Sequence, residues 1–258
     1  MTEAAGFAFA ILGAFNDAVR CFEYIQVARN FDKDFQTAIL KLDISRLRLA
    51  RWGQSIGLDR VEEGMQTLPG IIGSQDDHEQ AEKLLRQIVE LFTDAERVSA
   101  KLKPLGNDSN VDDTVNDLDK ATASLHKKLK MLSLKRFNPR NILKKTKWAL
   151  YKEKYLNRLI EDTTELVNGL VELFPAAQPE RERLCEEDGS QLASDQNVSL
   201  IAPIVAEQDP ELSAAIKSRQ SAGGQIFNIT FAGSQNHGLQ QGYFSGQQTN
   251  NFGVPPQK

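Results

Sequence analysis

The chain has 258 residues, with 40% hydrophobic and 26% charged side chains and a formal net charge of −4. This composition is typical of a soluble globular protein and allows one or two domains. No apolar run approaches the roughly 18 residues of a membrane-spanning helix, and the two cysteines, Cys21 and Cys185, are too few for a disulfide framework. Glu3 stands where a secretory signal would carry positive charge, so we expect a cytoplasmic protein.

Apolar residues recur every three or four positions through most of residues 1–175, which is the spacing of one face of a helix. The clearest rows are Leu84, Ile88, Leu91, Ala95, Val98 and Leu102; Leu125, Leu129 and Leu132; and Leu156, Leu159, Thr163, Leu166, Leu170 and Leu173. Each apolar stripe must be buried against others. The pattern therefore predicts an all-α fold, a single bundle of about five helices over residues 1–175.

Between residues 35 and 49, two apolar rows run side by side. One row comprises Phe35, Ile39, Leu42 and Leu49, and the other comprises Leu40, Ile44 and Leu47. So wide an apolar surface predicts a central helix that contacts more than one neighbour.

Residues 176–219 differ in composition from the preceding part. Prolines at 179, 203 and 210 follow Pro175, acids dominate between 180 and 211, and apolar residues are sparse. We interpret this segment as a disordered, acidic linker with at most a short helix over 211–219.

Residues 220–258 form a low-complexity tail rich in Gln, Asn and Gly, without an Asp, Glu, Lys or Arg before Lys258. Identical tails stacked in register would form Asn and Gln ladders and aromatic stacks without charge repulsion, so the tail is a candidate amyloid motif. A flexible polar tail is the alternative. The candidate amyloid-motif residues are Phe227, Phe231, Asn236, Gln240, Tyr243, Phe244, Asn250 and Phe252.

The amino terminus is apolar and carries no charge between residues 4 and 16. As a helix, residues 4–15 would span about 18 Å, less than the ~30 Å of a hydrocarbon core. We therefore expect a buried helix at rest that could insert into a membrane if it were released. The membrane-insertion candidates are Phe7, Phe9, Ile11, Leu12 and Phe15.

A basic stretch runs from 126 to 154, with eleven Lys or Arg residues and one acid. Near its end, Lys144, Lys145, Lys147 and Trp148 combine cations with an interfacial aromatic ring, which favours anionic lipid head groups. Nucleic acid binding and an unspecific solvated surface are the alternatives.

No catalytic motif is found in the sequence. The three histidines, His78, His126 and His237, lack the spacing of metal ligands, and the pattern predicts neither a metal nor a cofactor. Cys21 is interpreted as a packing residue. The carboxylates at 180–188 would lie in a linker that cannot hold them rigidly, so we expect a protein that is not an enzyme.

Several sequence blocks resemble the HeLo domain of filamentous fungi, in order and spacing over roughly residues 1–175. They are Cys21-Phe22-Glu23-Tyr24, Lys41-Leu42-Asp43-Ile44, the run from Arg46 to Gly53, the run from Lys144 to Tyr151, and Glu172-Leu173-Phe174-Pro175. The resemblance implies an all-helical domain that permeabilises membranes when active. It also implies a trigger, the amyloid conversion of a carboxy-terminal segment, which frees an amino-terminal helix of about residues 5–28.

The tail departs from the charged pseudo-repeats of the family's prion proteins and resembles the sigma type of fungal amyloid motif. The resemblance implies a cell-death executioner of heterokaryon incompatibility or innate immunity, which moves from the cytoplasm to the plasma membrane on activation. The implied partners are other copies of the chain, a nucleotide-binding oligomerisation receptor with a matching motif, and membrane lipids. A non-lethal prion-like or inhibitory protein, and a pathogenicity-associated adaptor without membrane activity, are the alternatives.

Overall fold

The architecture was analysed in a computed structural model of the chain. It describes residues 3–27, 34–60, 72–102, 118–136, 148–150 and 153–222. Within these ranges eight α-helices and one pair of short strands are found, with three short 3₁₀ turns at Leu58–Arg60, Pro175–Ala177 and Val198–Leu200. The prediction of an all-α fold is confirmed, with more helices than the five expected.

The elements follow one another along the chain in a simple order. They are α1 (Glu3–Tyr24), β1 (Ile25–Val27), α2 (Asp34–Ser55), α3 (Gln75–Leu102), α4 (Lys120–Arg136), β2 (Trp148–Leu150), α5 (Glu153–Leu173), α6 (Gln178–Ala193), α7 (Ala202–Gln208) and α8 (Pro210–Ala222).

A first apolar core lies between α1, α3, α5 and one side of α2. Residues that recur at three- and four-residue spacing on α3 and α5 point into it, as the sequence predicts. Leu85, Ile88, Leu170 and Phe174 are among its fully or almost fully buried members. The row on α3 therefore faces both α1 and α5, which are its main packing partners.

Helix α2 separates the first core from a second one. Its row Phe35, Ile39, Leu42 and Leu49 belongs to the first core, while Leu40, Ile44 and Leu47 belong to the second. The prediction of a central helix with several neighbours is confirmed, since α2 packs on α1, α4, α5, α6 and α7.

The second core contradicts the interpretation of residues 176–219 as a disordered linker. This segment forms α6, α7 and most of α8, and Leu192, Ile201, Val205 and Leu212 are buried in the second core. The helical domain therefore continues to Ala222 rather than ending at 175. The helix expected over 211–219 is present, but it is longer and packs firmly on α6.

The prolines of residues 176–219 favoured the mistaken interpretation of this segment as a linker. Pro175 and Pro179 lie in the first turns of a 3₁₀ turn and of α6, Pro203 lies in the first turn of α7, and Pro210 begins α8. The first turn of a helix tolerates proline because its N–H has no partner within the helix. These prolines start helices rather than interrupt them.

The strands β1 and β2 pair in parallel, with Ile25 opposite Trp148 and Val27 opposite Leu150. The apolar pattern predicted no strand in this part of the chain. The family resemblance implied a first helix that continues to about residue 28, whereas α1 ends at Tyr24, where β1 begins.

Candidate functional site

Helix α1 is held in the bundle by one continuous apolar face. Ile11, Ala14, Phe15, Val19 and Phe22 are buried, at the spacing expected for one side of a helix. The ring of Phe22 lies against Phe92 of α3, with 4.8 Å between ring centroids. The face that could enter a membrane is therefore occupied by the first core.

The middle of α1 rests on residues 52 and 53 of α2. The Phe15 and Trp52 ring centroids are 6.1 Å apart. Directly beside this contact, a Cβ atom on Gly53 would overlap the Phe15 ring. Glycine at position 53 therefore allows α1 to approach α2 this closely.

The carboxyl end of α1 is fixed by a charge pair and by the strand pair. Arg46 of α2 donates a hydrogen bond of 2.6 Å to Glu23, and both side chains are largely buried. Strand β1 follows directly after Tyr24 and pairs with β2, which follows directly after Lys147 and lies within the basic stretch. The backbone of the candidate insertion helix is thus joined to the backbone that follows the candidate lipid-binding lysines.

A buried network of arginines and aspartates lies beneath the carboxy-terminal helices. Arg51 of α2 donates to Asp188 of α6 at 3.1 Å and to Asp209, which precedes α8, at 2.8 Å. Arg136 of α4 donates to Asp188 at 2.5 Å and to the carbonyl oxygen of Leu184 at 3.0 Å. Two buried cations therefore depend on the positions of α6 and α8.

The protonation of this network follows from its burial and its charges. Burial alone would lower the pKa of Arg51, but the carboxylates of Asp209 and Asp188 outweigh it and raise that pKa above its usual value. Burial raises the pKa of the Cys185 thiol to about 12. Arg51 is therefore a fixed cation, and Cys185 stays a thiol at neutral pH.

Asp209 also organises the start of α8. Its carboxylate accepts a hydrogen bond from the backbone N–H of Leu212 at 3.3 Å, and Pro210 occupies the first helical position. Helix α8 ends at Ala222, where the candidate amyloid tail continues the chain. One carboxylate thus caps the helix nearest to the tail and also neutralises Arg51.

The two cores meet at three consecutive residues of α2. Arg51 binds the carboxylates of the second core, Trp52 packs on Phe15 and Phe174, and Gly53 lies beneath Phe15. The centroids of Trp52 and Phe174 are 5.7 Å apart. Any displacement of this turn by loss of the Asp209 contact would act directly on the surface that supports α1.

The structure describes only some of the predicted site residues. Ile11 and Phe15 are buried, and Leu12 packs partly buried on the first core. Trp148 lies in β2, where its backbone is described. The remaining candidates fall outside the described residues or have undescribed side chains, and they stay predictions. They are Phe7, Phe9, Lys144, Lys145, Lys147, Phe227, Phe231, Asn236, Gln240, Tyr243, Phe244, Asn250 and Phe252.

In the part of the chain that the structure describes, no helix combines the length and apolarity needed to cross a bilayer. Within the same ranges, no group of His, Cys, Asp or Glu residues has the arrangement of a metal site. Cys21 is buried in the first core, as expected of a packing residue.

Comparison with known proteins identifies the family. The model of the HeLo family, described as prion-inhibition and propagation, matches residues 4–201. The chain belongs to the HeLo family. This match extends well into α6 and the turn before α7, in agreement with a helical domain that continues past residue 175.

Two proteins of Podospora anserina are similar to this chain in sequence. Heterokaryon incompatibility protein S is 26% identical over 218 residues, which cover 83% of this chain and 73% of the relative. Heterokaryon incompatibility protein s is 29% identical over 171 residues, which cover 65% of this chain and 57% of the relative.

Solved structures of the HET-s N-terminal domain share the fold. One superposes with a TM-score of 0.71 at 26% identity, over 82% of this chain and 97% of that domain. A doubly substituted form of the domain gives a TM-score of 0.70, also at 26% identity, over 82% of this chain and 98% of that one. The family resemblance seen in the sequence is confirmed.

Sequence reasoning missed the residues that connect the two cores. It noted Arg51-Trp52-Gly53 only as part of a family resemblance, and it placed Asp188 in a linker without rigid structure. Asp188 is in fact fully buried and binds two arginines. The available signal was Asp209-Pro210-Glu211, because an aspartate followed by proline and glutamate is typical of a helix start.

Proposed function

We propose that this HeLo protein is a membrane-acting executioner of programmed cell death, of the heterokaryon-incompatibility or innate-immunity type. Its tail, residues 223–258, adopts a templated amyloid form, and this conversion loosens the carboxy-terminal helices. Helix α1 is then released from the first core and inserts its apolar face into a membrane. The relatives named as heterokaryon incompatibility proteins support the biological setting.

The observation that carries the proposal is the connection from α8 to α1 through residues 51–53. The tail follows α8, the carboxylate at the start of α8 binds Arg51, and the two residues after Arg51 support Phe15 of α1. A sensor at one end of the chain is thus linked to the candidate effector at the other by direct contacts.

The energies involved are sufficient for such a release. Removing one partner of a buried ion pair costs about 3–5 kcal/mol, because the remaining charge stays desolvated. The whole stability of a typical domain is only about 5–15 kcal/mol. Displacement of α8 would leave Arg51 without Asp209 and would remove Leu212 and Ile216 from the second core. A large share of the stability of the domain would be lost.

The released helix would act at the membrane surface rather than as a simple spanning segment. Its amino half is apolar on all sides, whereas Asp17, Arg20 and Glu23 give its carboxyl half a polar face. Such a helix can lie in the interface with its apolar face buried among the lipid chains. The lysines before β2 would bind anionic head groups close to the end of α1.

Leakage from vesicles tests the proposal. Full-length protein is mixed with dye-loaded anionic vesicles, with or without fibrils grown from a 220–258 peptide as seeds. We expect leakage only with seeds. Deleting residues 1–15 should abolish leakage while fibrils still form, and Phe231→Asp with Phe244→Asp should prevent both.

A matched cell experiment sets this function against the non-lethal alternative. The full chain and a chain ending at Ala222, the last residue of α8, are expressed inducibly in a host cell, and seeds are supplied afterwards. An executioner lowers viability only with its tail and relocates to the plasma membrane. Seeded fibrils without leakage and without loss of viability would contradict the executioner function and leave an inert, inhibitory protein.

A further inference from the structure

An acidic groove with an apolar floor lies between α3 and α5. Its volume is about 740 Å³. Leu84, Leu91 and Leu166 line it and pack, partly buried, against the first core. The rims carry five carboxylates, which are Glu90 and Asp94 on α3 and Asp162, Glu165 and Glu172 on α5.

Three of these carboxylates are available for a partner. Asp94 pairs with Arg97 at 2.7 Å, and Asp162 pairs with Arg158 at 3.4 Å. Among the residues that the structure describes, Glu90, Glu165 and Glu172 take part in no ion pair. The groove therefore combines exposed apolar surface with uncompensated negative charge on both rims.

Helix α4 presents the opposite pattern. It contains six Lys or Arg residues and no acid. Lys128 and Arg136 pair with Asp195 and Asp188 inside the fold, whereas the other four cations are exposed. These exposed cations are Lys120, Lys127, Lys130 and Lys135.

The centre of this exposed face is apolar. Met131 is 62% exposed, more than any other large hydrophobic side chain in the described ranges. At 100° per residue, Met131 and the half-exposed Leu134 lie on the helix surface between Lys130 and Lys135. We call this surface the α4 ridge; it has an apolar centre flanked by cations.

The ridge and the groove match in pattern and in length. An apolar floor between acidic rims is complementary to an apolar centre between basic edges. Residues 127–135 of α4 span about 12 Å, and the groove residues 162–172 of α5 span about 15 Å. Since α4 packs on α2 whereas α3 packs on α1 and α5, the two surfaces belong to different faces of the fold.

We propose that the α4 ridge of one chain docks in the α3–α5 groove of a second copy. The two surfaces differ, so the contact is heterologous and leaves a free groove at one end and a free ridge at the other. Copies therefore add head to tail in an open series. The contact is formed by the helical domains and does not require conversion of the tail.

This contact would be weak in dilute protein and stronger where chains are already joined. Tethering two domains raises their effective concentration into the millimolar range for short linkers. Only four residues of the chain separate the end of α8 at Ala222 from Phe227, the first of the candidate amyloid-motif residues. Chains joined by their tails would thus array their helical domains, and the array would present many α1 helices together.

Charge reversal on each surface, followed by mixing, tests the proposal. The ridge variant carries Lys127→Glu, Lys130→Glu and Lys135→Glu, and the groove variant carries Glu90→Lys, Glu165→Lys and Glu172→Lys. Freshly purified full-length protein without seeds is followed by sedimentation velocity, up to about 100 µM, at low salt, where electrostatic contacts are least screened. Wild type should sediment faster with increasing concentration and lose most of this shift at about 0.5 M salt.

Each variant alone should associate at least tenfold more weakly than wild type. An equimolar mixture should regain the wild-type shift, because the acidic ridge of one variant faces the basic groove of the other. A control with the same change in net charge as the ridge variant carries Arg60→Glu, Lys217→Glu and Arg219→Glu, which are all exposed and lie on none of α3, α4 and α5. This control should behave as wild type.

Complementation in the mixture also shows that both variants are folded. A wild-type chain that stays monomeric, association that survives either reversal, or a mixture without recovery would each overturn the proposal. If instead the ridge variant loses flotation with anionic vesicles while self-association is unchanged, the ridge binds lipid and not a second copy.

Discussion

The two cores on either side of α2 are held together in different ways. The first, between α1, α3 and α5, is built from apolar stripes and aromatic contacts such as that of Phe22 with Phe92. The second, beneath α6, α7 and α8, adds a network of four buried charges to a smaller set of apolar residues. An apolar core tolerates small displacements, whereas a buried charge that loses its partner does not. The second core is therefore suited to sense a change at α8.

Helix α2 connects the two cores. Its residues contribute to both cores, and Arg51, Trp52 and Gly53 contact each of them within one turn. A loss in the second core thus reaches the surface that supports α1 without a long chain of intermediates. A substitution in the second core should therefore also loosen α1, whereas a local substitution beneath α1 should leave the second core intact.

The largest effect is expected for Asp188→Asn. The substitution keeps the shape of the side chain but removes the charge that neutralises Arg51 and Arg136. The free energy of unfolding should fall by about 3–5 kcal/mol, measured by urea denaturation. Glu182→Gln on the exposed side of the same helix is the control and should change it by no more than about 0.5 kcal/mol. A loss below about 1 kcal/mol for Asp188→Asn would show that the network does not stabilise the second core.

A smaller and more local effect is expected for Gly53→Ala. The added methyl group would overlap the Phe15 ring, and such overpacking costs about 1–3 kcal/mol. Hydrogen exchange of the α1 amides should become faster, while exchange in α6 and α8 stays slow. The second substitution Phe15→Leu should restore part of the protection in α1. Equal acceleration in both cores would contradict their separation.

The smallest effect concerns the pH dependence of the contact between α2 and α4. The His126 ring nitrogen lies 2.7 Å from the Asp43 carboxylate. Burial raises the pKa of Asp43 against the opposing effects of His126, Arg46 and Lys130. The folded protein then binds a proton more tightly than the unfolded chain, so ionised Asp43 lowers stability as pH rises from about 4 through the raised pKa.

Asp43→Asn removes this dependence. Relative to wild type, the variant should gain stability as pH rises from about 4 through the raised pKa of Asp43, as measured by urea denaturation at a series of pH values. Neutralising a surface ion pair, such as Arg86 with Glu82, should leave the change in stability with pH as it is in wild type. A relative loss of stability of Asp43→Asn with rising pH would contradict the assigned direction.

The sequence predicted the first core well and the second core poorly, for a physical reason. The spacing of rows such as Leu156 to Leu173 is enough to predict a helix, and the double row on α2 correctly predicted a helix with more than one neighbour. The network cannot be read in this way. Arg51 binds partners 137 and 158 residues away, and charged residues normally indicate solvent. The prolines at helix starts then strengthened the mistaken interpretation of a linker.

The candidate site was predictable to a similar extent. The burial of Ile11 and Phe15 at rest follows from their apolar surroundings. The support of Phe15 by Gly53 does not, because a close approach between two helices leaves no periodic signal in the chain. The same holds for the pairing of β1 with β2, whose three-residue strands lie far apart in sequence.

The two cysteines allow the most direct test of the coupling between tail and α1, since Cys21 lies on α1 in the first core and Cys185 lies beneath α8. Full-length protein is treated with an alkylating reagent before and after seeding, and each cysteine is quantified by peptide mass spectrometry. Our account predicts slow labelling of both at rest, rapid labelling of Cys185 once fibrils form, and labelling of Cys21 in the same molecules. Complete fibril formation with both cysteines still protected would contradict it.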